Sequence, residues 1–415
     1  MNTVTTVRQM PAGLMDPAGR VGKSIDTVLS AVREYLGMDV AFLTEFLDDG
    51  TRIFRRVDSA TLCPIHRGDV LPLSDGYCRQ IIEGTLPELI PDTSALPEAM
   101  ALAATRAMPV GAHLSVPVQL ANGHVYGTFC CFSYGPVPAL SERDLDMMRS
   151  LARLIAHQLD HEIEALDHGH DVAARIKAAI AAGQPEIVYQ PIYRLSGDWT
   201  IGGVECLARF TIEPERTPDQ WFAEAASVGM GPLLELVAIR NALTALQDVP
   251  GDFYVSINCS PDTAVHPDFA PVLELLPAER LVLEITEHAH VDDYTGLSQA
   301  LGLLRQRGMR IAIDDAGAGY ASMRHILSLQ PDLIKLDISL TKNINTDRMR
   351  HALAVALVEF ARHTGSTIIA EGVETAGELA TLHKLGVMRA QGYFMSMPLP
   401  LPELIELLQQ TPHAE

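Results

Sequence analysis

The stretch "RIAIDDAGAGY", residues 310–320, places two aspartates side by side at the end of a short apolar run. Residues 310–313 are typical of a buried strand, and the glycines that follow indicate a turn. Adjacent carboxylates repel each other and leave water only at a high cost in free energy. A nearby cation would therefore stabilise the pair Asp314 and Asp315. A solvated turn is the alternative, and the motif by itself favours it, because Asp and Gly are common in turns for reasons of backbone geometry alone.

Further strand patterns surround this stretch after about residue 165, and helical segments lie between the later ones. Only "SGDW" joins the first two strands, which suits a hairpin better than a crossover. This order predicts an eight-stranded α/β barrel with an irregular start. The strand candidates are 186–195, 200–210, 253–260, 281–289, 310–317, 333–340, 366–374 and 390–396, and the helical segments are 218–248, 293–308, 347–364 and 375–385.

Polar residues recur near the carboxyl ends of these strands. In a barrel the strand ends converge on one mouth, where barrel enzymes place their chemistry. Carboxylates with an asparagine carbonyl form an oxygen-rich shell that suits hard ions such as Mg²⁺ or Mn²⁺, and a shared aspartate could bridge two of them. The residues expected at the mouth are Glu205, Asn258, Glu284, Asp314, Asp315, Lys335, Glu371 and Gln391.

Composition limits the partners and the location of this protein. The 415 residues are enough for two domains, and 47% hydrophobic with 20% charged residues is typical of a globular protein. The absence of a long uncharged apolar run or a signal peptide predicts a cytoplasmic protein without membrane insertion. A formal charge of -21 argues against a nucleic-acid polymer as partner. Six cysteines without CxxC spacing predict reduced thiols rather than a zinc knuckle or disulfide framework.

The region before residue 165 has the pattern of a small α+β domain. Its strand candidates are 40–46, 52–58, 114–120 and 125–133, and its helical patterns are 22–36 and 75–84. A long amphipathic helix follows at 141–166, with Leu145, Met148, Ala152, Ile155, Leu159 and Leu166 at steps of mostly three and four. This spacing has two interpretations: a helix that packs on its own domain's sheet, or the seam of a parallel dimer that transmits a signal.

The strand-end residues named above belong to short motifs, and these motifs, in their order along the chain, resemble those of the EAL-domain phosphodiesterases. Enzymes of that family hydrolyse the bacterial second messenger cyclic di-GMP. The resemblance covers about residues 170–410. The motifs are "QPI" at Gln190, "ECLARF" at Glu205, "NCS" at Asn258, "EITE" at Glu284 to Glu287, "DDAGAGY" at Asp314, "DLIKLD" around Lys335, "EGVE" at Glu371 and "QGYFMSMPLP" at Gln391.

The resemblance implies hydrolysis of cyclic di-GMP to linear pGpG with two divalent ions, Mg²⁺ or Mn²⁺. It implies that Lys335 and Glu371 position or deprotonate the attacking water, although Lys335 could instead be a buried counter-ion for the acids. It also implies that Glu287 anchors the loop after Asp315. The implied metal ligands are Glu205, Asn258, Glu284, Asp314 and Asp315, and the implied substrate contacts are Gln190 and Arg209, with Gln391 supporting the site.

Two departures from the family pattern affect the expected activity. Cys206 replaces the signature alanine, which is a small-for-small change of little expected effect. Ala316, Ala318 and Ala321 leave loop 315–321 with few packing groups, so activity could be lower or depend on dimerisation. One alternative is an inactive cyclic di-GMP receptor that signals through protein contacts. The other is an unrelated metal-dependent barrel enzyme, such as a lyase of small oxo-acids.

The N-terminal region resembles a GAF sensor domain through "LGMDVAFLTEF", "LPELIPDT", "GAHLSVPV" and "GTFCCFS". The resemblance implies a sensor or dimerisation unit, and we expect a homodimer. Its ligand stays unknown: Cys63 or Cys78 could hold a chromophore or sense oxidants, and His66, His113 and His124 could bind haem or metal or be structural. The predicted divisions are an N-terminal tail 1–21, a GAF-like domain 22–140, a connecting helix 141–169, an EAL domain 170–410 and a C-terminal tail 411–415.

Overall fold

The structure, a computed structural model of the chain, describes residues 20–196, 199–249, 251–285, 294–316 and 320–410. The chain forms two compact units that divide between His168 and Gly169. The first is an α+β unit and the second is a closed barrel. The predicted fold class is confirmed in both parts.

The first unit contains a six-stranded antiparallel sheet. Successive side chains of each strand point to opposite faces of the sheet, and apolar side chains lie on both faces. Helices or loops therefore cover both faces of the sheet. The strands are β1 (Val40–Phe46), β2 (Thr51–Ser59), β3 (Val70–Pro72), β4 (Leu89–Ile90), β5 (Ala112–Gln119) and β6 (Val125–Ser133), in the spatial order β3-β2-β1-β6-β5-β4. The helices are α1 (Arg20–Leu36), α2 (Tyr77–Ile82), α3 (Pro97–Met100), α4 (Ala103–Ala107) and α5 (Glu142–Ala181).

The apolar stripe of α5 packs inside the first unit. Leu145, Met148, Ile155 and Leu159 are buried in one cluster with residues of α1 and of the sheet, such as Leu29. The dimer-seam interpretation of these residues is therefore wrong, because the chain itself already covers them. The amphipathic spacing is explained by packing on the helix's own domain, which was the other interpretation.

Helix α5 continues beyond the predicted 141–169 segment, to Ala181. Its last turns bury Val172, Ile176 and Ala179 in a small cluster that includes Trp221 of the second unit. Apolar burial therefore extends the helix, and Gly183, with φ of 81°, turns the chain just after its end.

The second unit is a closed eight-stranded barrel. Its first strand is antiparallel to both neighbours and the other pairs are parallel, as the hairpin-like first connection predicts. The strands are β7 (Glu186–Arg194), β8 (Thr200–Arg209), β9 (Tyr254–Cys259), β10 (Leu281–Ile285), β11 (Arg310–Ala316), β12 (Leu333–Leu336), β13 (Thr367–Ala370) and β14 (Arg389–Ala390), closed in the order β10-β11-β12-β13-β14-β7-β8-β9.

Helices surround this barrel and bury their apolar faces against the outer side of the strands. They are α6 (Pro218–Ser227), α7 (Gly231–Leu246), α8 (Pro261–Ala264), α9 (Phe269–Leu273), α10 (Tyr294–Gln306), α11 (Tyr320–Leu329), α12 (Ile338–Thr341), α13 (Arg348–Thr364), α14 (Ala376–Lys384) and α15 (Leu401–Gln410). Within the described ranges, no helix has both the length and the apolar character needed to cross a membrane.

Several predicted elements have different bounds in the structure, among them the following three. The helical pattern 218–248 is two helices, because Gly229 takes a left-handed φ of 72° between them. Strand β12 ends at Leu336, since the Asp337 side chain caps the backbone N–H of Ser339 and starts α12. The predicted strand 390–396 is reduced to Arg389–Ala390.

Candidate functional site

The ammonium group of Lys335 lies among four carboxylates at one end of the barrel. Lys335 is fully buried on β12, and its four acidic partners come from β8, β10, β11 and the chain just after β13. The distances from Lys335 Nζ are 2.7 Å to Glu284 Oε2, 2.7 Å to Glu371 Oε1, 3.1 Å to Asp314 Oδ1 and 3.2 Å to Glu205 Oε1. Strand ends that are far apart in the sequence thus build one charged cluster, as the strand-end pattern predicts.

The charge state of this lysine follows from two opposing effects. Burial favours the neutral amine, but the carboxylates of Asp314, Glu205, Glu284 and Glu371 outweigh it and raise the pKa of Lys335 well above its usual value. Lys335 is therefore a permanent ammonium at neutral pH. It can donate hydrogen bonds and neutralise negative charge, but it has no lone pair with which to accept a proton.

The acids of the cluster carry more negative charge than one lysine balances. Burial raises the pKa of Glu284 to about 8 against the opposing effect of Lys335. Burial likewise raises the pKa of Glu371 well above its usual range, and the neighbouring Asp314 raises it further. These carboxyl groups therefore retain protons unless more positive charge is brought to them. The donor set accordingly favours a bound cation.

Three of the carboxylates lie in an arrangement that fits a metal ion. One oxygen each from Asp314, Asp315 and Glu371 lie within 4.8 Å of one another. Asp315 has a left-handed φ of 54°, and its backbone N–H donates to Asp314 Oδ1 at 3.0 Å. Carboxylate oxygens are the ligands that Mg²⁺, Ca²⁺ and Mn²⁺ prefer. The residues present therefore fit a hard divalent ion.

Two amide side chains orient the acids. Gln391 Nε2 donates to Glu205 Oε2 at 2.5 Å and to Glu371 Oε1 at 2.9 Å. Asn258 Nδ2 donates to Glu205 Oε1 at 3.3 Å, which leaves the Asn258 carbonyl oxygen as the group that could bind a cation. Gln391 is buried, so its hydrogen bonds are shielded from water. Asn258 lies near the carboxyl end of β9, as the sequence predicts, whereas Gln391 directly follows β14 instead of beginning the predicted strand 390–396.

Two residues of the site were missed by the sequence analysis. Ser256, on β9, donates a hydrogen bond to Glu284 Oε1. Its position two residues before Asn258, on the same face of the strand, is a signal that could have found it. Glu235 of α7 accepts the backbone N–H of Ser260 at 2.8 Å, and burial raises its pKa. A helical acid far from every motif gives no such signal.

Glu205, Asp314 and Asp315 line a cleft of about 810 Å³ in the second unit. Arg209, predicted as a substrate contact, lines this cleft and donates from Nη1 to the Ala208 carbonyl oxygen at 2.8 Å. Gln190 is buried opposite Glu205 in the β7–β8 register, and its Nε2 lies 3.4 Å from the Ser396 carbonyl oxygen. Glu287, the predicted loop anchor, lies outside the described residues, as do residues 317–319 of the loop after Asp315.

The candidate ligand residues of the first unit differ in burial and in their contacts. Cys78 is buried on α2, and its hydrogen bond with the Cys130 thiol lowers the pKa of Cys78 to about 6. His113 is buried and stacks on Tyr77 with ring centroids 4.2 Å apart, and burial lowers the pKa of His113 to about 3. Cys63 is partly buried, whereas His66 and His124 are exposed.

Comparison with known protein families agrees with the fold of both units. The sequence model described as "EAL domain" matches residues 173–398, which is more than half of the chain, and the one described as "GAF domain" matches residues 22–159. The chain therefore belongs to the EAL domain family and carries an N-terminal GAF domain. The predicted resemblance to both families is confirmed.

Similar proteins include named cyclic di-GMP phosphodiesterases. The cyclic di-GMP phosphodiesterase NbdA of Pseudomonas aeruginosa is 30% identical over 246 residues, or 56% of this chain and 31% of NbdA. The probable cyclic di-GMP phosphodiesterase PdeA of Escherichia coli is 30% identical over 238 residues, or 55% of this chain and 32% of PdeA. The matched region is thus about a third of the length of these relatives.

One solved structure in complex with c-di-GMP also has this fold. It is the PaMucR phosphodiesterase, which is 26% identical with a TM-score of 0.51, and the match covers 56% of this chain and 99% of that chain.

Proposed function

We propose that this protein hydrolyses cyclic di-GMP to linear pGpG in the cleft at the barrel mouth. The observation that carries the proposal is the cluster of Lys335 with four carboxylates next to the cleft-lining Arg209. An acidic site binds an anionic phosphodiester only if cations neutralise the charge, and this cluster holds one cation and fits another. The names of the similar proteins support the choice of substrate.

Divalent ions, Mg²⁺ or Mn²⁺, would be held by Glu205, Asn258, Glu284, Asp314 and Asp315. When bound, such ions neutralise phosphate oxygens and supply a nucleophile near neutral pH. We propose two ions, because adjacent aspartates with surrounding acids provide more ligands than one ion requires.

The side chains of this chain have separate roles in the proposed reaction. The Lys335 ammonium donates a hydrogen bond that orients the attacking water, and the Glu371 carboxylate accepts a proton from it. Burial holds a proton on Glu371, and the positive charge of bound divalent ions would release it, so that the carboxylate can accept a proton from the water. The water oxygen bonds to phosphorus as the bond to the ribose 3′-oxygen breaks, and that oxygen takes up a proton. Arg209 and Gln190 contact the dinucleotide, and Gln391 keeps Glu205 and Glu371 in place.

We further propose that the GAF domain regulates this activity and that the active form is a homodimer. The dimer contact would not use the apolar stripe of α5, which is buried within the first unit. We also propose the domain divisions that the sequence predicts, with the GAF-like domain in residues 22–140 and the EAL domain in residues 170–410.

The function is tested by incubating the full chain with cyclic di-GMP and Mg²⁺ or Mn²⁺ and separating the products by chromatography. We expect pGpG to accumulate as cyclic di-GMP disappears. Tight binding without product would favour the inactive receptor instead. Neither binding nor product would favour an unrelated metal-dependent barrel enzyme, and both of these outcomes would contradict the proposal.

A further inference from the structure

Helix α5 carries a second row of side chains that takes no part in its apolar packing. His157, His161, Glu164 and His168 follow one another at steps of four, three and four, so they share one face of the helix. All four are exposed, and all lie in the first unit. The row consists of these four residues, three histidines and one glutamate, and both side-chain types bind metals. We call it the histidine row.

Two histidines of the row are already close together. The ring centroids of His157 and His161 lie 4.4 Å apart with an angle of 67° between the rings. His161 Nδ1 lies 3.9 Å from Glu164 Oε2, and these two side chains are 66% and 78% exposed. The i, i+4 spacing on a helix holds two imidazoles on one face, which is the arrangement that lets two histidines bind one zinc ion.

The charged neighbours leave this pair accessible. Arg153, one turn before His157, is turned toward Ser150, with its Nη2 3.0 Å from Ser150 Oγ. Asp160 accepts the backbone N–H of Ala121 at 2.9 Å and so is held by the turn between two strands. Because the histidine row is exposed, an ion can reach it without any unfolding.

We propose that His157 and His161 form a binding site for a divalent transition-metal ion such as Zn²⁺, with Glu164 as the nearby carboxylate. This site differs in chemistry from the barrel mouth, because imidazole nitrogens suit zinc, copper or nickel whereas carboxylate and amide oxygens suit magnesium or manganese. The chain therefore has two classes of metal site, one in each unit. Zinc bound at the histidine row crosslinks two turns of α5 and stabilises that part of the helix.

The proposal is tested by measuring Zn²⁺ binding to the full chain by equilibrium dialysis in excess Mg²⁺, which occupies the oxygen-rich site. The variants His157→Ala and His161→Ala each reduce a two-point attachment to one point, so we expect their zinc affinity to fall by about 10²-fold. Zinc is also expected to raise the melting temperature of the wild-type protein more than that of either variant, because it binds only the folded helix as a chelate. Alanine is a good helix former, so both variants should fold.

A matched control removes two exposed histidines that are not neighbours. His351 and His363 both lie on α13 and are twelve residues apart, so His351→Ala/His363→Ala removes two imidazoles, one more than either test variant, without removing a chelating pair. We expect this control to bind zinc like the wild type. The proposal is overturned if His157→Ala and His161→Ala retain wild-type zinc affinity, or if the control loses as much affinity as they do.

Discussion

At the scale of single residues, Lys335 and the acids around it depend on each other. Each carboxylate would be costly to bury alone, and a buried ammonium would be costly without them. The cluster is therefore a place where removing one charge leaves several others uncompensated. It is also the place where the proposed chemistry happens, so effects on stability and on activity must be measured separately.

Lys335→Met is expected to destabilise the barrel unit strongly. Breaking a buried ion pair by removing one partner costs roughly 3–5 kcal/mol, and here four acids lose their shared cation. Thermal or urea unfolding with and without the substitution measures the effect. Lys342→Met is the matched control, because Lys342 is half exposed and pairs with Glu374 at the surface. Equal stability of the two variants would contradict the role given to Lys335.

Glu205→Ala is expected to abolish hydrolysis while the barrel stays folded. Glu205 is a proposed metal ligand at a strand end, and losing even an indirect partner of a metal ligand costs roughly 10–100-fold in metal affinity or activity. The rate of pGpG formation and the circular dichroism spectrum provide the two readouts. Glu403→Ala, an exposed acid on α15, is the control. Full activity of Glu205→Ala would refute the assignment of the site.

These residues also show how far the sequence predicts a site. Strand periodicity alone places Glu205, Glu284 and Lys335 at one end of the barrel, because parallel strands converge there. It does not predict that the Lys335 ammonium lies within 3.2 Å of four carboxylates. It also misses Glu235, whose contact with Ser260 joins a helix to a strand end. Such contacts depend on packing between elements, which no local pattern encodes.

At the scale of elements, α5 shows why a pattern can have two interpretations. Apolar residues at steps of three and four indicate an apolar face, but they do not identify the surface that covers it. In this protein the covering surface is α1 and the sheet of the first unit. A coiled-coil seam and a helix that packs on its own domain give the same spacing over two to three heptads.

Leu159→Ala is therefore expected to weaken the fold of the first unit without changing the oligomeric state. Leu159 is fully buried, and truncation of a buried leucine costs roughly 2–5 kcal/mol. Leu154, on the same helix, is 61% exposed, so Leu154→Ala is the control and should have little effect on stability. Unfolding experiments and light scattering together test this. A variant that dissociates with unchanged stability would restore the dimer-seam interpretation.

At the scale of the whole molecule, the chain combines a GAF domain with an EAL barrel through a helix that contributes residues to both units. Val172 and Ile176 belong to the core of the second unit, so a fragment that starts at residue 170 keeps them. The fragment 170–415 is thus a fair test of what the first unit contributes.

We expect this fragment to hydrolyse cyclic di-GMP at a rate that differs from that of the full chain, and to be monomeric where the full chain is dimeric. A free-energy difference of about 1.4 kcal/mol between two states of the active-site loop would change their ratio tenfold, so modest coupling is enough. Turnover at identical Mg²⁺ and mass in solution provide the comparison. Two monomers of equal activity would show that the GAF domain does not regulate the barrel.

The central claim is that hydrolysis at the barrel mouth depends on divalent ions held by its acids. The most direct test is the rate of pGpG formation by the full chain after thorough chelation, followed by measured addition of Mg²⁺ or Mn²⁺. The account predicts no hydrolysis after chelation and recovery when either ion is returned, because the acids of the site bind substrate only with added positive charge. Hydrolysis that persists without metal would contradict the account.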